Sequence, residues 1–233
     1  VYRNLSFVPD EDSVYAEMTG SQFVEYSARL AGLEAPGNLA TEAIDAVAMA
    51  EAAGRRIGGY SKGMRQRIKV AAALVTKPDI LVLDEPLNGT DPVQRAHLID
   101  LFQQLGTSGS TVIVSSHVLE EVQRVSTRVI AIVDGRLAAA GSVEAIRAAM
   151  NDKPYVVSIT ADDPRRLGAG LLASDIVQSV AIQGDRLTVL TTNITDLGRM
   201  VPEIAAANQT TVSGFLPQDE SLESVFRYLV ERR

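Results

Sequence analysis

The pattern of apolar and polar positions changes its period along this chain. Leu5 to Val8 reads as the end of a short strand, stopped by Pro9 and the acidic turn Asp10-Glu11-Asp12. Thr19-Gly20-Ser21 opens a helix expected to place Phe23, Tyr26, Ser27 and Leu30 on one face, with Gly32 closing it. Pro36 and Gly37 read as a loop, and an Ala-rich helix follows from about Leu39 to Ala53. Beyond the glycine-rich segment Ile57 to Gly63, Met64, Ile68, Ala72 and Val75 recur at helical spacing with Arg65, Arg67 and Lys69 between them, and Pro78 ends that helix. Ile80-Leu81-Val82-Leu83 and Thr111-Val112-Ile113-Val114 are unbroken apolar runs on either side of a helix from about Pro92 to Leu105. Strand, helix, strand with unbroken strands predicts a parallel sheet covered on both faces. Val129 to Val133 and Arg136 to Ala140 flank Asp134-Gly135, a hairpin turn signal that closes this region.

A linker at Asn151-Asp152-Lys153-Pro154 introduces another order. It reads strand (155–160), helix (164–173), strand (176–182), strand (186–191), helix (196–207), strand (210–216) and a last helix (222–230). The βαββαβ part is the split-βαβ, ferredoxin-like pattern. The sequence therefore divides at about residue 150 into an α/β domain and a smaller α+β accessory domain.

Composition narrows the class. A 46% apolar content supports a real core. There is no cysteine, hence no disulfide framework and no thiolate metal site. The net charge of −7, spread evenly, argues against a general nucleic-acid binder, which needs clustered Lys and Arg. No apolar run approaches the ~18–20 residues of a bilayer span, and no signal-peptide pattern is present.

The candidate chemistry lies at strand ends. Asp84 and Glu85 follow a buried apolar strand, and ligands in open α/β sheets sit at the carboxyl ends of strands. Adjacent residues alternate in direction, so one acid can hold Mg²⁺ while the other positions or deprotonates a water. The same heptapeptide is equally compatible with an acidic turn that caps the next helix. His117 ends the next strand and falls on the same sheet edge, whereas His97 reads as solvated helix surface. The loop Gly58 to Gly63 precedes a helix, where glycines admit close backbone approach and Ser61 can cap the helix or donate to a phosphate.

Taken in order, these segments resemble the nucleotide-binding subunit of an ATP-binding cassette (ABC) transporter. Tyr60-Ser61-Lys62-Gly63-Met64-Arg65-Gln66-Arg67 resembles the family signature, usually Leu-Ser-Gly-Gly-Gln; Ile80 to Pro86 looks like the Walker B strand with its glutamate; Leu87 to Pro92 looks like the D-loop; and Ser116-His117 looks like the switch histidine. Lys62 and Met64 depart from the usual signature in the manner of the ABC-2 type exporter subfamily. That subfamily also carries a C-terminal extension, and Ser221 to Phe226 fits its ending. Val8-Pro9-Asp10 falls at the Q-loop, where Asp10 replaces a glutamine and Glu11 is a second candidate.

The resemblance implies a P-loop NTPase-like core, with a helical subdomain around residues 12–60 that faces a permease. It implies catalytic roles for Glu85 and His117, nucleotide contacts from Ser61, Lys62, Gly63, Met64 and Asp91, and a Mg²⁺ role for Asp84 and Asp10. ATP and Mg²⁺ are the implied cofactors. The implied partners are a separate ABC-2 type membrane permease and a second nucleotide-binding subunit, at the inner face of the cell membrane, with no nucleic acid. No Gly-x-x-x-x-Gly-Lys-Ser/Thr occurs in the chain. The family places that loop upstream of the Q-loop, so the expectation is a fragment lacking it; the alternative is a degenerate or regulatory subunit that does not itself hydrolyse ATP. A non-transport ABC ATPase is the competing class, but it would carry two cassettes or a coiled-coil insertion, and neither is present.

Overall fold

A computed structural model describes residues 4–150, 153–218 and 222–231. Val1, the linker residues Asn151 and Asp152, and Ser221 of the closing segment lie outside the described residues. The chain divides into two compact units, Val1–Ser126 and Thr127–Arg233.

In the first unit, β1 (Leu5–Val8), β2 (Ile80–Asp84) and β3 (Thr111–Ser115) form a parallel sheet in that order. The register runs without slip, from Leu5 opposite Ile80 and Ile80 opposite Thr111 to Asp84 opposite Ser115. Parallel strands in register bring all three carboxyl ends to one edge. Between β1 and β2 lie α1 (Gly20–Leu30), α2 (Pro36–Ala46) and α3 (Lys62–Leu74); α4 (Pro92–Thr107) joins β2 to β3, and α5 (Leu119–Val125) follows β3. The helix starts are chemically specified. Thr19 and Gln22 form a reciprocal capping box, Ser61 caps α3, and Asp91 caps α4 with Pro92 behind it.

One face of this sheet, carrying Val8, Leu81 and Leu83, is buried with Val24, Ile57, Ile68, Leu98 and Phe102. The other face is not covered among the described residues: Phe7 is 56% exposed and Ile113 51%, with Leu5 and Ile80 beside them. This corrects the expectation of two covered faces. An unbroken apolar run reports strand character, not which face has a partner.

The helical expectations also shift. The buried stripe of α1 is Gly20, Phe23, Val24 and Ala28, while Tyr26 and Leu30 are exposed. Counting three and four residues from Gly20, rather than from Phe23, gives that stripe. The Ala-rich helix begins at Pro36, which takes the first helical position, and ends at Ala46. A positive φ at Ala48 then breaks the chain before a 3₁₀ turn at Ala50–Ala52. The short helix α5 carried too few turns to show a period in the sequence.

In the second unit, β4 (Arg128–Val133) and β5 (Arg136–Ser142) form the expected hairpin, with Asp134 and Gly135 at φ 52° and 71°. The helix α6 (Val143–Ala148) follows. Next come β6 (Tyr155–Ala161), α7 (Pro164–Leu171), β7 (Val177–Gln183), β8 (Arg186–Thr191), α8 (Ile194–Ala207), β9 (Val212–Pro217) and α9 (Leu222–Glu231). The four strands β7-β8-β6-β9 pair antiparallel in that order. Along β8, Leu187, Val189 and Thr191 are buried and alternate with Thr188 and Leu190, so one face meets the helices.

The hairpin and α6, read from sequence as closing the first region, group with this second unit instead. The reason is packing: α9 lies against α6 and β4, burying Leu222 and Val225. Arg147 of α6 is also buried. It donates to the carbonyls of Lys153 and Pro154 at 3.2 and 3.1 Å, and its guanidinium lies 4.0 Å over the Tyr155 ring.

A polypeptide of residues 127–233 is expected to give a dispersed amide NMR spectrum. Shortening it to 151–233 removes the surfaces under Leu222 and Val225, each worth about 1.5–3 kcal/mol when buried. The α9 amides should then lose protection from hydrogen exchange while those of β6 to β9 keep it. Equal α9 protection in both polypeptides would contradict this packing.

Candidate active site

The edge formed by the strand ends begins with Asp84, the last residue of β2. Its Oδ1 accepts a hydrogen bond from Ser115 Oγ, the residue opposite it on β3. Glu85 follows with φ 48°, an unusual value for a residue that is not glycine. Its N–H donates to the Ser115 carbonyl at 3.2 Å and lies 3.2 Å from Ser115 Oγ. The turn at Glu85 takes its carboxylate out of the strand alternation and toward the end of β3. There Glu85 Oε1 accepts the backbone N–H of His117 at 2.9 Å and stands 2.8 Å from His117 Nδ1. The Glu85 side chain is 20% exposed and that of His117 69%. The hydrogen bond and charge of Glu85 raise the His117 pKa above its ordinary value, and Glu121 and Asp10 add smaller electrostatic contributions.

The end of β1 is held from the opposite side. Asp10 Oδ1 accepts from Asn88 Nδ2 at 3.2 Å. The carbonyls of Pro9, Asp10 and Glu11 accept from a single ammonium, Lys69 Nζ, at 2.7, 3.2 and 2.8 Å. Lys69 is only 4% exposed. Desolvation lowers its pKa below the ordinary lysine value, and the charges of Asp12 and Asp10 offset only part of that. Arg65, on the same helix, pairs through Nε with Asp12 Oδ2 at 3.0 Å and donates through Nη1 to the Tyr60 carbonyl at 2.6 Å.

The glycine-rich segment and the loop after Glu85 are pressed together. A Cβ added at Gly63 would lie 2.6 Å from the Gly89 carbonyl oxygen, and one added at Gly89 would lie 2.8 Å from Lys62 Cγ. Gly89 also sits at φ 73°. Only glycine suits both positions. Ser61 Oγ accepts the Met64 N–H at 3.2 Å, and the Met64 side chain packs on the core. Asp91 Oδ1 accepts the N–H groups of Val93 and Gln94 at 3.0 and 2.9 Å. Its carboxylate is engaged in capping α4, the role sequence had left open for the neighbouring acids.

The structure thus brings Asp10, Asp84, Glu85 and His117 to consecutive strand ends, and places Ser61 to Met64 at the start of α3. Several partners were not legible in advance. Ser115 looks like an ordinary strand residue until the register sets it opposite Asp84. Lys69 lies in a run with two arginines between the apolar positions, and nothing local marks it as buried. Glu121, buried on α5, accepts from Ser116 Oγ at 3.2 Å and pairs with Arg95 Nη1 at 3.2 Å, while Arg95 Nη2 donates to the Thr90 carbonyl at 3.3 Å. This relay ties the residue before His117 to the residue after Gly89. His97 is exposed as expected, but its Nε2 lies 2.9 Å from the Ala46 carbonyl.

Among the described residues no three His, Cys, Asp or Glu side chains gather into a metal cage. Mg²⁺ does not need one: it is held through one or two carboxylates with waters and substrate phosphates. Asp84 and Asp10, on neighbouring strand ends, fit that donor set. No helix of the described residues is long and apolar enough to cross a membrane.

A family profile described as ABC transporter matches residues 1–88. The chain is 28% identical over 230 residues to the uncharacterized ABC transporter ATP-binding protein YxlF of Bacillus subtilis (strain 168), covering 98% of this chain and 76% of that protein. It is 28% identical over 230 residues to the daunorubicin/doxorubicin resistance ATP-binding protein DrrA of Streptomyces peucetius, covering 97% and 69%. It is 36% identical over 138 residues to the ABC transporter ATP-binding protein NatA of Bacillus subtilis (strain 168), covering 58% of this chain and 56% of that one. A solved structure of an ATP-binding subunit of an ABC transporter superposes with a TM-score of 0.58 at 22% identity, over 63% of this chain and 62% of the other, which shows a shared fold.

The geometry at Glu85 predicts a titration. His117 should titrate above the ordinary histidine value, and Glu85→Gln should bring it back down. A raised folded-state pKa means the pair stabilises the fold fully below the unfolded-state value and loses that contribution as pH rises through the raised value. Imidazole proton NMR shifts against pH measure both. A His117 midpoint unmoved by Glu85→Gln would contradict the contact.

Proposed function

We propose, from the premise that this chain carries an ABC transporter ATP-binding domain homologous to ABC-2 type exporter ATPases, that it is the subunit whose ATP hydrolysis powers export through a separate membrane permease. The observation that carries the reading is the clasp of the Glu85 carboxylate by the N–H and ring of His117 at the end of β2.

Glu85 polarises the attacking water as general base, a role worth typically ~10²–10⁴-fold in rate. His117, exposed beyond Glu85, contacts the terminal phosphate. Asp84 and Asp10 hold Mg²⁺, which when bound neutralises charge on the transferred phosphoryl group. Ser61, Lys62, Gly63 and Met64 open α3 toward the nucleotide held by a second nucleotide-binding subunit, with the unpaired N–H groups of a helix start available to phosphate. Asp91 keeps the loop after Glu85 in register with α4 and so carries contact between the two subunits. The exposed aromatic and apolar side chains of Tyr15, Tyr26 and Leu30 face the permease from the helical subdomain, with the protein on the inner face of the membrane.

Residues 155–217 have the element order and strand order of a ferredoxin-like split-βαβ domain, and we assign them, with α9, to an accessory domain that biases pairing of the two subunits. Export of a drug-like compound is suggested by the resistance named for DrrA, and the cargo itself is chosen by the permease. The 233 residues contain no Gly-x-x-x-x-Gly-Lys-Ser/Thr, whose lysine and backbone normally cradle the phosphates. This polypeptide by itself is therefore proposed to be inactive.

A phosphate-release assay on this chain with Mg-ATP is expected to stay at background. In a polypeptide that joins these residues to a phosphate-binding loop, turnover should appear. There Glu85→Gln should lower it ~10²-fold or more with ATP binding retained, and Asp84→Asn should weaken Mg-ATP binding itself in titration calorimetry. Unchanged turnover in Glu85→Gln would remove the base assignment, and unchanged Mg-ATP affinity in Asp84→Asn would remove the metal assignment.

A further inference from the structure

Lys69 sits two turns into α3, beyond the signature-like segment. The side chain is only 4% exposed, yet among the described residues no carboxylate is within hydrogen-bond reach of its ammonium. Its partners are the carbonyl oxygens of Pro9, Asp10 and Glu11, at 2.7, 3.2 and 2.8 Å. An ammonium has three protons, and here each meets one acceptor. Three successive carbonyls turned inward on one cation is an arrangement a free backbone turn avoids, because the oxygens repel one another. A cation at their focus makes it favourable, and burial strengthens the attraction. The turn also carries Asp10, whose carboxylate reaches Asn88 at 3.2 Å on the loop after Glu85. The same turn is tied a second time to α3 through Asp12 and Arg65.

We propose that Lys69 is a positioning residue: a built-in cation around which the turn Pro9–Glu11 is wrapped, so that Asp10 is set in place by the helix that opens with Ser61. The consequence is a mechanical link. A shift of α3 along its axis carries the ammonium with it and drags the Asp10 backbone, so contact of a second subunit with the start of α3 is read at the end of β1. That consequence rests on the site assignment above. The wrapping of the turn does not, since it is a property of the chain without nucleotide.

The test uses the whole chain without nucleotide. Two signals report the turn: the Asn88 side-chain amide, which senses Asp10, and the Ser13 amide, which donates to the Glu11 carbonyl at 2.8 Å. In the unsubstituted chain, an ammonium held by three acceptors should give a slowly exchanging ζ-NH₃⁺ signal in ¹⁵N NMR. Lys69→Met keeps the apolar stem and removes the charge. It is expected to move the Asn88 amide toward its free position and to speed Ser13 exchange about tenfold, the size of one charged hydrogen bond.

Lys69→Ala leaves a hole matching n-propylammonium, which should restore both signals, whereas tetramethylammonium or NaCl at equal ionic strength should not. A residue that only stabilises the fold would lower the melting temperature without moving the Asn88 amide and would not be rescued by a cation. The proposal is overturned by a folded Lys69→Met with unmoved Asn88 and Ser13 signals, by equal rescue from every salt, or by the absence of the ζ-NH₃⁺ signal should the variants not fold. None of these readouts depends on ATP turnover, so failure of the hydrolytic assignment and failure of this one are told apart.

Discussion

The way β2 ends governs the rest of the site. Four apolar residues carry the chain through the middle of the parallel sheet, and the next two are acids. Left in strand geometry, Asp84 and Glu85 would project to opposite faces. The left-handed backbone at Glu85 cancels that alternation, and the bonds from its N–H to Ser115 hold the bend. A conformation of this kind costs of order 1–3 kcal/mol and persists only where surrounding bonds fix it. Here they are the Ser115 contacts on one side and the His117 N–H on the other. Two acids that would otherwise diverge therefore serve one edge.

Parallel register does the remaining assembly. Because β1, β2 and β3 run the same way without slip, a residue just past each strand arrives at the same edge regardless of its distance in sequence. The loop after Glu85 then meets the start of α3 where the backbone of Gly63 touches that of Gly89 and the Lys62 side chain packs on Gly89, so neither glycine has room for a side chain of its own. The Ser116–Glu121–Arg95–Thr90 relay closes the circuit from the end of β3 to that loop. The Glu121–Arg95 pair is partly withdrawn from water on the Glu121 side, where removing one partner costs more than the pair itself contributes. Its value here is to fix geometry.

Much of this was legible in the sequence, for physical reasons. Strand ends marked by Asp84-Glu85 and Ser116-His117 show because apolar runs stop abruptly at charge. The Asp134-Gly135 hairpin and the βαββαβ order show because turn chemistry and period are local. What was not legible depends on tertiary partners. Nothing local marks Lys69, because its burial depends on three distant carbonyls. The coverage of the β1–β3 sheet and the exposed Tyr26 and Leu30 are not encoded in periodicity, which gives a stripe but not its phase against a neighbour. The hairpin groups with the second unit because α9, some ninety residues later, packs on it. The capping of α4 by Asp91 was likewise not marked in the sequence, because it depends on where the helix starts.

Everything at this edge turns on Glu85 holding His117 through Nδ1. Long-range ¹H–¹⁵N correlation of the imidazole, recorded above the His117 midpoint, reads the proton position directly. A neutral His117 should be protonated on Nδ1 in the unsubstituted chain, with that preference lost in Glu85→Ala. A ring protonated on Nε2 in the unsubstituted chain would contradict it.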